Sequence, residues 1–117
     1  ESALRHYLRA SKEWVSVTPV VLPGDFGGGD LRVMTKLLHK AVRESGIDPG
    51  LVEGAEFSKN GFLRQAARVR DVKLKDWNAK NLILYHVRLR FKCPVRGPIV
   101  LGRGRHFGLG LFCADAE

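Results

Sequence analysis

From Tyr85 onward the stretch LILYHVRLRFKCPV alternates apolar and polar residues so regularly that it reads as a β-strand with two unlike faces. Tyr85, Val87, Leu89 and Phe91 fall on one face, and His86, Arg88, Arg90 and Lys92 on the other. One face is expected to be core and the other a basic ladder. A sheet built around such a strand must be covered on its apolar side, and the chain supplies a matching helix. Asp30 is placed to N-cap a helix running to about Ser45, with Gly46 as its stop. Leu31, Met34, Leu38, Ala41 and Val42 share its apolar face, while Arg32, Lys36, His39 and Arg43 form a polar stripe beside it.

Other elements follow from local chemistry. WVSVTPVVLP (14–23) is a β-branched strand that stops at Pro23-Gly24, with Pro19 marking a bulge or an edge. Leu51 to Phe57 reads as a second strand, GPIVLG (97–102) offers at most a turn of helix, and FGLGLFCA (107–114) is a last strand. Residues 58–81 fit a basic hairpin or a short helix equally well. The order β, α, β, β, short α, β defines an α+β fold: a ferredoxin-like (RRM-like) split βαβ sandwich with a C-terminal glycine-rich loop.

At 117 residues with 44% apolar content, the chain suffices for one domain and is too short for two. Its net charge of +8 favours a polyanionic partner, and the excess is polarised along the chain. Between Trp77 and Ala114 there is no acidic residue, while Lys80, Arg88, Arg90, Lys92, Arg96, Arg103 and Arg105 are all cationic. Cys93 and Cys113 lack the spacing of a zinc site, which suits a reduced, cytoplasmic protein with no metal and no cofactor. No apolar run is long enough for a membrane span, and the charged start resembles no signal peptide. That start also lacks Met, as expected of a domain excised from a longer polypeptide or of a chain after tag removal.

GRGRHFGLG (102–110) places four glycines, two arginines and a histidine in nine positions. Glycines let a backbone approach a phosphate closely, and Arg103 and Arg105 add charge and forked donors. A tight structural loop would use the same glycines. A dinucleotide fingerprint would need a helix after the motif, where a strand-like FGLGLF follows instead.

GPIVLGRGRHFGLGLF resembles the C-terminal glycine-rich loop of the RAMP superfamily of CRISPR proteins, in particular the repeat-processing endoribonucleases. Taken with WVSVTPVVLP and HVRLRFKCPVRGP, the chain resembles the C-terminal half of the fused backbone-and-processing subunit of type I-U (I-G) systems. The resemblance covers most of residues 14–114. It makes residues 1–13 a linker from a missing N-terminal half and residues 14–117 the RNA-processing domain. It implies metal-independent cleavage of CRISPR precursor transcripts to guide RNA with a 2′,3′-cyclic phosphate, and it implies other Cas effector subunits as partners.

The residues suit that chemistry independently. Attack of a ribose 2′-OH on its own phosphate needs a base, an acid at the 5′-oxygen and charge stabilisation, which His with Arg or Lys can supply. The scattered carboxylates offer no close pair for two metals. Three histidines are catalytic candidates. His39 lies on the predicted helix, from which or just before which the resembled family often takes its catalytic histidine. His106 lies in the glycine-rich loop, and His86 on the basic ladder. An exposed helical histidine needs no catalytic reason, and loop or ladder histidines can bind RNA without moving a proton. The expected RNA-binding residues are Gly102, Arg103, Gly104, Arg105 and Gly108 of the loop, Arg88, Arg90, Lys92 and Arg96 of the ladder, and Arg32, Lys36 and Arg43 of the helix. Trp14 and Tyr85 read as core; Trp77, between Lys75 and Lys80, is a candidate for base stacking.

Two other functions fit the same chain. One is a catalytically silent RNA-binding module of the same superfamily, holding the guide RNA in an effector complex. The other is an RNA-recognition or ribosomal protein, which is disfavoured because no strand carries the aromatic pair such sheets use to stack bases.

Overall fold

The computed structural model describes residues 2–23, 31–62, 66, 82–102 and 109–115. These residues form a small α+β unit with two helices and an antiparallel sheet. The elements are α1 (Ser2–Leu8), β1 (Ala10–Ser16), β2 (Val20–Pro23), α2 (Leu31–Glu44), β3 (Val52–Ser58), β4 (Leu82–Arg96) and β5 (Phe112–Ala114).

The alternating stretch is the spine of the sheet. β4 pairs antiparallel with β1, β2 and β3, and β1 pairs on its far side with β5. Alternation places Val87, Leu89 and Phe91 in the core together with Trp14, Leu22, Phe112 and Ala114. α2 covers this side through Met34, Leu38, Ala41 and Val42, all buried. Gly46 ends the helix at φ +95°; its N–H donates to the Arg43 carbonyl and that of Ile47 to the Val42 carbonyl. Trp14 is fully buried, and its indole N–H donates to the Ser11 carbonyl at 2.9 Å. A buried Trp needs such a partner for its one polar atom.

Several sequence expectations change in detail. The first strand begins at Ala10 instead of Trp14, so residues 10–13 of the expected linker belong to the sheet, and residues 2–8 form α1. The strand is then interrupted: the six residues from Val15 to Val20 span only four on β4, from Arg88 to Tyr85. The extra residues at 17–19 turn their backbone toward the C-terminal segment. Val17 N–H donates to Leu111 O at 2.7 Å, and Gly110 N–H donates to Pro19 O at 2.8 Å.

GPIVLG forms no helical turn. Ile99 and Leu101 are buried, Val100 bridges Leu111, and the Leu101 and Phe112 amides donate to Gly110 O and Ile99 O. Its backbone groups find partners across a short antiparallel ladder, which removes the reason to coil locally. Leu31, expected on the buried face of α2, is 61% exposed; Met34, one turn later, is the first helical residue to reach the core. The expected cap Asp30 lies outside the described residues, as do residues 67–81, where the hairpin and the short helix were both open, and with them Trp77.

Candidate nucleic-acid interface

The short ladder between residues 99–101 and 110–112 closes the base from which the glycine-rich loop departs. Gly102 and Gly110 flank the departure with φ of +95° and +75°, in the left-handed region that favours glycine. Both are also crowded. A Cβ on Gly102 would lie 2.8 Å from Val21 O, and one on Gly110 would overlap the Leu101 carbonyl. These two glycines therefore fix the loop's base. Gly102, expected to touch RNA, is buried against β2 and serves the fold first. Arg103, Gly104, Arg105, His106 and Gly108 lie outside the described residues.

Gly102 also borders a cleft of about 390 Å³ whose other described walls are Val21 and Leu22 of β2 and Leu37, Lys40, Ala41 and Glu44 of α2. The expected stripe runs along this same helix: Arg32, Lys36 and Arg43 are exposed and His39 is half-buried. Helix α2 and Gly102 thus meet at this cleft.

The basic ladder is elsewhere. Arg88 pairs in register with Val15 and Glu56, and Arg90 with Glu13, whereas Trp14 and Ala55 pair with Leu89 in the core. Paired residues share a face, so Arg88 and Arg90 project from the side of the sheet opposite α2. Their charges are already met. Arg88 forms an ion pair with Asp115 at 3.3 Å and sits over the Phe62 ring, its carbon 5.2 Å from the centroid. Arg90 bonds the Glu13 carboxylate, which raises the guanidinium pKa further above its usual value. Glu13 and Glu56 also share with these arginines a second cleft of about 410 Å³. The ladder is a patch of mixed charge, because acids from β1, β3 and the residue after β5 face an acid-free strand. Lys92 and Arg96 remain exposed.

His86 departs most from expectation. It alternates with the ladder but is fully buried, with Nδ1 sharing a hydrogen bond with Ser16 Oγ at 2.8 Å. The same hydroxyl accepts from the Val87 N–H at 2.9 Å, standing in for a ladder bond where the strand is interrupted. His86 is a buried support of that interruption and is not part of an exposed basic surface. Ser16→Ala should cost about 1–3 kcal/mol, since it strips the buried Val87 amide of its side-chain acceptor and removes one hydrogen bond of the imidazole. Urea denaturation measures this; an unchanged midpoint would remove the structural role.

Sequence reasoning missed Lys40, Glu44 and Ser16. The Lys40 and Glu44 spacing of four was visible, but only the tertiary placement of Gly102 beside them makes a cleft. Tyr85, expected in the core, is half-buried at its edge, meeting Phe57 edge-on and Lys59 Nζ 4.3 Å from its ring centroid. Cys93 is an exposed free thiol and Cys113 a buried one, whose pKa burial pushes up. Among the described residues no group of three or more His, Cys, Asp or Glu is placed to hold a metal ion. No helix among them is long and apolar enough to cross a membrane. No protein-family model, curated protein or solved structure matches this chain.

Proposed function

We propose that this chain is the RNA-processing domain of a RAMP-type CRISPR endoribonuclease: it grips repeat RNA with the glycine-rich loop and the cationic edge of α2, and cleaves it without a metal. The observation that carries the reading is that Gly102, which Arg103 follows in sequence, borders a cleft lined on its α2 side by Leu37, Lys40, Ala41 and Glu44, on the helix that also carries Lys36, His39 and Arg43. The cationic side chains of this helix draw phosphates and make affinity salt-dependent. The ferredoxin-like reading finds support in the sheet, where β5, β1, β4 and β3 neighbour one another antiparallel in that order. The extended segment at 97–102 departs from the expected second helix.

In the proposed reaction His39 takes the proton of a ribose 2′-OH, the oxygen attacks the adjacent phosphorus, and the P–O5′ bond breaks. The leaving 5′-oxygen takes a proton from a cationic neighbour, and the products are a 2′,3′-cyclic phosphate and a 5′-hydroxyl. Other effector subunits and the cytoplasm are the setting this reading entails.

A second reading, a module that binds guide RNA without cutting it, is favoured by the burial of His86, which leaves His39 as the accessible histidine among the catalytic candidates described. Incubation with the host's repeat RNA in EDTA tests both. A single cut bearing the cyclic phosphate is expected; tight binding with intact RNA establishes the module instead, and no binding at low salt overturns both.

A further inference from the structure

We propose that the cleft between α2 and Gly102 is a pocket for one unpaired guanine nucleotide, with Glu44 reading the base and Lys40 holding its phosphate; this rests on the RNA reading above. At about 390 Å³ the cleft lies near the small end of ligand sites, enough for a nucleotide and too small for a duplex. Leu37 of α2, half-buried, gives it an apolar wall against which one face of a base can rest, above a floor of buried Val21, Leu22 and Ala41. Gly102, packed closely against the Val21 backbone, closes the end of the cleft nearest β2.

The two charged residues carry the specificity. Lys40 and Glu44 are spaced to pair along the helix, yet they form no ion pair or hydrogen bond with any described residue. Glu44 is moreover the last residue of α2, where a carboxylate faces the negative end of the helix dipole. Neither helix stability nor a described neighbour accounts for a carboxylate there. A ligand with paired N–H donors does. Guanine alone presents two adjacent donors, N1–H and the exocyclic N2–H, on its Watson–Crick edge, matching both oxygens of one carboxylate. Adenine and cytosine place an acceptor beside their amino group, and uracil places a carbonyl on each side of its single N–H, so each would set an oxygen or nitrogen lone pair against Glu44.

The test is fluorescence anisotropy of the full chain with short oligouridylates carrying one central guanosine, inosine or uridine. Wild type should bind the guanosine strand about ten- to a hundredfold more tightly than the uridine strand. Inosine, which lacks the N2 amino group, should lose most of that preference. Glu44→Gln, an isosteric change at an exposed position, should erase the preference while keeping uridylate binding. Lys40→Gln should weaken all three strands alike and flatten their salt dependence. Equal binding of guanosine and uridine strands by wild type, or a preference that survives Glu44→Gln, overturns the pocket and leaves the RNA reading standing. Failure to bind any strand at low salt overturns both.

Discussion

Gly110→Ala is expected to destabilise the protein by about 3 kcal/mol or more, the range in which steric overlap adds to backbone strain. The left-handed conformation at φ +75° alone costs a side-chain-bearing residue about 1–2 kcal/mol. The methyl group would in addition overlap the Leu101 carbonyl, whose residue pairs with Gly110 through an N–H donated at 2.9 Å. Neither partner can retreat cheaply. Gly110 N–H is tied to Pro19 O at the interruption between β1 and β2, and Leu101 is fully buried. Two other glycines separate the contributions. Gly46, at φ +95° with nothing within 4 Å of a Cβ, should show the conformational cost alone on mutation to Ala. Gly54, also open and without a positive φ, should change stability by less than about 1 kcal/mol, with a gain possible through the stiffer unfolded chain. Urea midpoints for the three variants should rank Gly54→Ala above Gly46→Ala above Gly110→Ala. If Gly110→Ala unfolds no earlier than Gly46→Ala, the ladder under the loop is not packed as described.

The fold was legible wherever one residue's environment is set by its own strand or helix. Alternation from Tyr85 placed Val87, Leu89 and Phe91 in the core, and the spacing of Met34, Leu38, Ala41 and Val42 placed the face of α2. Pro19 marked the place where the first strand is interrupted. What failed needed partners distant in sequence. The ladder looked purely basic because Glu13, Glu56 and Asp115 reach Arg88 and Arg90 only through strand register. His86 looked exposed because alternation says which face a residue takes and not how deeply that face is covered; a serine seventy positions away shares its hydrogen bond. GPIVLG looked like a turn because its period-2 burial spans only Ile99 to Leu101 and depends on a ladder with residues 110–112. For the candidate site, the helix stripe and the glycine segment were visible separately. That Lys40 and Glu44 of α2 border a cleft with Gly102, and that α2 and the ladder lie on opposite sides of the sheet, are tertiary facts.

The split bears directly on where the chemistry is expected. His39→Ala should lower the rate of repeat-RNA cleavage by about 10²–10⁴-fold, the usual worth of a positioned general base, while leaving RNA affinity within a small factor. His39 is half-buried on α2, and the core is built from Leu38, Ala41 and Val42 of that helix, so the variant should keep its urea midpoint. Loss of rate with unchanged affinity and stability separates proton transfer from binding and from folding. Arg32→Ala and Arg43→Ala, on the same stripe, should show the converse: weaker binding and a shallower salt dependence, with the cleavage rate of bound RNA nearly intact. Arg90→Ala should do neither, because its guanidinium is engaged by Glu13 on the other side of the sheet. Single-turnover cleavage at saturating protein, in EDTA, reads the first effect; binding titrations at two salt concentrations read the second. Full cleavage by His39→Ala would move the base to His106, and full cleavage by the double variant His39→Ala with His106→Ala would take histidine out of the mechanism, since His86 is held in the interior by Ser16.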